Sequence, residues 1–179
     1  MFHLDTQFLI DHWTSLARQA GVRSGIPERS SLRPDALGLR LPRVFLAARA
    51  GDDAAVRLAG TWIETFHGDT LRNVALSSLW RSASRPMVSA ALTQTVREAR
   101  PVVVAAYAGS LCNPVEIALF PLRGGSGEVD RVLGLYTPLG TLSFAKDEPR
   151  LLTARVFVGV GEPARATLAL AAVGGRRTA

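Results

Sequence analysis

The sequence predicts an α+β domain, on two observations. An amphipathic helix over 86–100 runs directly into three strand-like segments, and a strand hairpin stands earlier in the chain. Met87, Val88, Ala91, Leu92, Thr95, Val96 and Ala99 recur at the three-and-four spacing of one helical face, while Ser89, Gln94, Arg97, Glu98 and Arg100 take the other. Pro101 breaks the helix. Val102–Tyr107 is then an apolar, largely β-branched run that fits a strand better than more helix. Two further strands are expected, Val115–Leu122 and Arg131–Thr137, joined through Gly124-Gly125-Ser126-Gly127.

Taken in order, residues 5–20 form a helix with Phe8, Leu9, His12, Trp13, Leu16 and Ala20 on one side. A polar connection follows over 21–32, then a one-turn helix near Arg33-Pro34-Asp35. Arg43–Arg49 and Ala54–Leu58 make the hairpin across Gly51-Asp52-Asp53. Gly60 ends the second strand, and Thr61–Phe66 forms a short helix with Thr61 as N-cap and Glu64 as its capping-box partner. Asn73–Trp80 is a second short helical segment, and Pro86 lies in the first turn of the long helix. Leu151–Val160 has strand character. Residues 161–179 are rich in Gly and Ala and are expected to have little to pack.

A chain of 179 residues that is 47% hydrophobic can bury a proper core in one domain. No segment approaches the ~18 apolar residues of a membrane span, and the N-terminus lacks a secretory pattern, so a cytoplasmic location without membrane insertion is expected. Cys112 stands alone, which excludes an intramolecular disulfide and a thiolate zinc site. The formal charge of +6 invites a nucleic-acid reading. Yet the arginines are dispersed along the chain and Lys146 is the only lysine, a pattern that disfavours a continuous row of phosphate contacts.

Helix, hairpin, short helices, long helix and three strands is an order that resembles the PAS sensor domain, and more closely the stand-alone PAS-like proteins common in alphaproteobacteria. The resemblance spans about Leu9 to Leu139. It is carried by His12-Trp13, Arg33-Pro34, Leu41-Pro42, Arg57-Leu58-Ala59-Gly60-Thr61, Leu79-Trp80, Arg100-Pro101-Val102, Glu116–Leu122 and Asp130–Leu139. It implies a five-stranded antiparallel sheet in the order 2-1-5-4-3, with helices on one face and a flanking N-terminal helix. The implied partition is 1–36 for that helix and its connection, 37–140 for the domain, and 141–179 for a partly disordered extension. The first strand should pair with the last, and strands two and three should lie at the edges. Where such relatives read Phe-Gly, this chain has Phe66-His67-Gly68, a one-residue insertion.

Catalytic and metal motifs are missing from the sequence: it has no Gly-x-Ser-x-Gly, no phosphate-binding Gly-rich loop with Lys-Ser or Lys-Thr, no Cys-x-x-Cys and no His-Glu-x-x-His. Haem is disfavoured because the long helix carries no histidine, leaving His67 a capping or solvated residue. His12 is expected as a satisfied histidine at the core edge and His3 in a disordered start. Flavin photochemistry is disfavoured because Cys112 sits in a Ser110–Pro114 turn rather than in an Asn-Cys-Arg helix. Asp52 and Asp53 are expected to be solvated, and Glu64 and Glu116 to lie apart. The expectation is therefore a protein that is not an enzyme.

In a PAS arrangement Trp62, Phe66, Trp80, Leu92, Tyr107, Ile117 and Tyr136 would line the concave face of the sheet, as a small-molecule pocket or as ordinary core. Phe8, Leu9, Trp13 and Leu16 form a stripe that must cover the sheet's outer face or meet its copy in a homodimer. The expected function is a sensory or regulatory module that works in trans on a signalling protein. The alternatives are a ligand-free interaction adaptor and, less favoured, an Arg-rich nucleic-acid binder.

Overall fold

The computed structural model describes residues 1–20 and 25–163. Helix α1 (Leu4–Gln19) comes first, then a one-turn helix α2 (Pro34–Leu37) and a 3-10 segment leading into strands β1 (Val44–Ala50) and β2 (Asp53–Ala59). Helix α3 (Thr61–His67), a 3-10 turn at Leu76–Leu79 and helix α4 (Arg85–Arg97) precede β3 (Val102–Ala108), β4 (Asn113–Arg123), β5 (Val129–Pro138) and β6 (Leu152–Gly159). The elements expected from sequence agree with these spans to within a few positions at the ends.

All six strands form one antiparallel sheet in the order β2-β1-β5-β4-β3-β6. The first five reproduce the expected 2-1-5-4-3 order, with β1 paired to β5 from Val44↔Leu135 to Ala48↔Arg131. The expectation that the third strand forms an edge is corrected. β6 pairs along β3 from Val102↔Gly159 to Ala108↔Leu152, so β3 is interior and the edge passes to β6. The physical reason is the strand character of 152–159, which supplies a ladder for β3's free side. The remainder of the predicted tail, 164–179, lies outside the described residues.

Helices lie on both faces of the sheet. Glu116 and Thr137 are cross-strand partners, as are Ile117 and Tyr136, and side chains alternate along a strand. Thr137 meets α1 through a Thr6 Oγ1–H bond to its Oγ1 at 3.1 Å. Tyr136, one residue earlier, meets α3. Helix α1 therefore lies on the outer face and α3 and α4 on the inner one. Leu9, Ile10 and Trp13 are buried under α1, and Trp13 Nε1 donates to the Pro121 carbonyl at 2.8 Å. The start of α1 is not disordered: His3 Nδ1 accepts from the Asp5 amide, and the His3 amide donates to the Glu116 carboxylate. Asp5 bridges to Arg40 and Arg43, both at 2.8 Å. Burial opposes the charge on Asp5, but the Arg43 hydrogen bond and the two guanidinium charges outweigh it and hold the carboxyl below its usual range.

Two local expectations are corrected. The N-cap of α3 is Gly60, not Thr61, and no side chain caps it. Gly60 is held by its own N–H to the Val44 carbonyl at 2.8 Å and packs so closely on Pro42 that a Cβ would stand 2.2 Å from its carbonyl oxygen. The helix consequently begins at the glycine carbonyl, and Glu64 accepts from the Leu71 amide instead. Asp53 is not merely solvated either. Its carboxylate takes the Ser77 hydroxyl at 2.6 Å and the Ser77 amide at 3.2 Å, which ties the hairpin to the 3-10 turn.

Candidate functional site

The inner face of the sheet gathers an aromatic cluster around Tyr136. Trp62 and Phe66 stand one turn apart on α3 and His67 is its last residue, and all three rings meet Tyr136 of β5. Trp62 stacks on Phe66 at 5.3 Å between centroids, Phe66 meets Tyr136 edge-on at 6.0 Å, and Phe45 of β1 meets Tyr136 edge-on at 6.0 Å from the other side. Such offset and T-shaped pairs let ring edges meet ring faces. Phe45 fits because its cross-strand partner is Gly134, where an added Cβ would stand 2.0 Å from the ring.

His67 also enters this cluster. His67 closes α3, with Gly68 behind it at φ +76° in the left-handed conformation that ends the helix. Its Nε2 shares a 3.1 Å hydrogen bond with the Tyr136 hydroxyl, so the reading of His67 as a capping or solvated residue is corrected. Burial lowers the imidazole pKa to about 4, and burial pushes the Tyr136 phenol up, so near neutrality the two are an uncharged pair.

A strap over 139–151 closes the cluster from above. Phe144 packs edge-on against Phe66 at 5.6 Å, and Arg150 donates from Nη1 to the Thr65 and Phe66 carbonyls at the end of α3. The strap is pinned by Asn113, whose side-chain amide donates to the Ser143 carbonyl at 2.6 Å and accepts from the Ser143 amide at 2.8 Å. Glu148 adds bonds from the Ser110 and Ala145 amides.

Of the seven predicted pocket residues, Trp62, Phe66 and Tyr136 come together, and Ile117 lies beside Tyr136 as its cross-strand partner. Trp80 is fully buried but bridges to Leu152 of β6, with its indole N–H unpartnered. Leu92 borders a hollow of about 10 Å³ beside Val96 and Val132, at most the size of one water. Tyr107 does not belong with the rest. It shares its face with Ala105, the cross-strand partner of outward-facing Glu116, and the Arg155 guanidinium covers its ring at 5.5 Å. Phe45, His67, Phe144 and Arg150 are the site residues missed in sequence. Only His67 carried a signal, as the position where the sequence departs from the Phe-Gly expected of the resembled family.

In the N-terminal stripe Leu9 and Trp13 are buried, while Phe8 and Leu16 are half-buried. Phe8 stacks on His12 at 6.1 Å and lies under the Arg40 guanidinium at 3.8 Å. His12 Nε2 is buried without a partner, which corrects its reading as a satisfied histidine. Cys112 is exposed in the turn between β3 and β4, as the sequence suggested. Among the described residues no three His, Cys, Asp or Glu side chains cluster as metal ligands, and no helix is long and apolar enough to cross a membrane.

Comparison with known proteins matches residues 1–137 to a family described as "PAS domain". Among solved structures, the chain is similar to the Rhodobacter sphaeroides LOV protein at 19% identity, with a TM-score of 0.43 over 54% of this chain and 58% of that one. It is also similar, at 17% identity and a TM-score of 0.40, to a chain from work on a flavin analogue and the light-oxygen-voltage domain mechanism, over 54% of this chain and 76% of that one. No curated protein matches.

Proposed function

The chain belongs to the PAS domain family, and on that premise we propose that it is a cytoplasmic, non-enzymatic sensory module acting in trans through contacts with a signalling protein. The observation that carries this reading is the neutral His67–Tyr136 pair inside an aromatic cage, closed by a strap that continues directly into edge strand β6. A small molecule that separates Phe144 from Phe66 would loosen Arg150 from the end of α3, and the disturbance would reach β6 through a continuous stretch of chain. The cage supplies ring faces and one hydrogen-bonded polar pair, which suits a small, mostly apolar ligand. Self-association through the α1 stripe is not part of this reading, because Leu9, Ile10 and Trp13 are already spent on the sheet.

The tight packing of Phe66 and Tyr136 favours a second reading, an adaptor that binds only protein. Native mass spectrometry of the protein taken from its own host separates the two. A small-molecule adduct that disappears in Phe66→Ala, together with a partner whose capture depends on the adduct, is the expected result. A partner captured equally well by protein with no adduct would leave the adaptor, and turnover of a metabolite would overturn both.

A further inference from the structure

On the outer face, between the sheet and the 28–41 connection, lies a cavity of about 590 Å³ that Phe45 of the aromatic cluster also borders. This is within the range of sites that enclose small molecules. Its floor is Val44 and Leu46 of β1, Leu58 of β2 and Leu133 of β5, which share the outward face through the Leu46↔Leu58 and Leu46↔Leu133 pairs. Its wall is Leu32, Pro34, Leu37 and Leu41 of the connection. Leu58 and Leu41 remain 60% and 43% exposed, so apolar surface is left facing the hollow.

One end of the cavity is polar. Arg123, the last residue of β4, lines it with the Gly124-Gly125 backbone, Glu28, Arg29 and Ser30. Five of the chain's twenty arginines form ion pairs among the described residues: Arg40 and Arg43 with Asp5, Arg33 with Asp35, Arg131 with Asp130, Arg100 with Glu98. Arg123 has no such partner among the described residues, and its buried Nε makes no hydrogen bond. The one acid among the lining residues, Glu28, accepts from the Ser30 hydroxyl at 3.0 Å. A half-buried guanidinium with unused donors costs free energy that an anion would recover, and its planar fork suits a carboxylate.

We propose that this outer cavity binds an amphipathic monocarboxylate, its apolar body on Leu46, Leu58 and Leu133 and its carboxylate on Arg123. The site lies on the face opposite the His67–Tyr136 cluster and stands or falls independently of the sensory reading.

Calorimetric titration of the full chain with decanoate, decanol and acetate tests this, using Arg123→Gln and Leu58→Trp as variants. The expected pattern is saturable one-to-one binding of decanoate, roughly tenfold weaker binding of decanol, and none of acetate. Arg123→Gln should bring decanoate down to the level of decanol while leaving decanol unchanged, which also shows that the variant is folded. Leu58→Trp fills the cavity from an exposed position and should abolish binding of both long-chain probes. Absence of decanoate binding to the unaltered chain would overturn the proposal, as would binding that survives either variant undiminished.

Discussion

The two faces of this sheet are covered in different ways. On the inner face aromatic rings interlock around Tyr136, and a strap pinned by Asn113 and Arg150 seals them. On the outer face α1 seats Leu9, Ile10 and Trp13 over β4 and β5, but the chain then crosses β1 and β2 as a run of short helical pieces that leaves a hollow. Regular elements bring matched side chains to a surface at fixed spacing, whereas a connection must satisfy its own backbone first and packs only where it can. The inner face is thus where packing energy concentrates, and the outer face beyond α1 is where space remains.

That contrast is broken most directly by truncation. Phe66→Ala removes a ring that touches Trp62, Tyr136, His67 and Phe144, and should cost ~3–5 kcal/mol in urea melts. Leu92→Ala under α4 should cost ~2–5 kcal/mol. A loss below ~1 kcal/mol at either position would mean that the inner face is not the tighter of the two.

On the outer face Trp13→Phe keeps most of the buried area but deletes the bond to the Pro121 carbonyl, and should cost ~1–2 kcal/mol. No loss there would show that α1 is held by apolar contact alone.

The His67 pair gives a pH signature confined to the inner face. The imidazole titrates at about 4 in the folded chain against about 6.5 when unfolded, so the unfolded state binds the extra proton first. Its stabilising contribution is complete above pH 6.5 and declines as pH falls from 6.5 toward 4, by ~1–2 kcal/mol once partial solvent screening is allowed for. Melts at pH 7 and pH 5 should show part of this decline, and His67→Gln should flatten it. An equal decline in the variant would assign the effect elsewhere.

The smallest effect is expected at the hollow. Leu58→Ser, at a side chain 60% exposed, should shift stability by no more than ~0.5 kcal/mol. A larger loss would mean that the cavity walls pack together in solution.

The strands and α4 could be read from sequence because their periodicity and their Pro and Gly breaks are local facts. Contacts between distant segments were not local. Phe144 meets Phe66 only because 139–151 folds back, and nothing near either residue announces it. Tyr107 was placed on the wrong face because its parity is set by the pairing of Ala105 with Glu116, a matter of register between strands. The outer cavity is likewise formed by residues drawn from four strands and a connection, so no single segment could have shown it.

Gly134 carries a consequence for how this chain can change by descent. The Phe45 ring occupies the space that any side chain at 134 would need, and the same ring leans on Tyr136 two residues along the strand. A lone alanine at 134 must displace Phe45, and a lone small residue at 45 leaves Tyr136 unsupported on that side. The two positions therefore have to be altered as a pair, and single-step routes between the present arrangement and one with a side chain at 134 pass through an intermediate worse than either end.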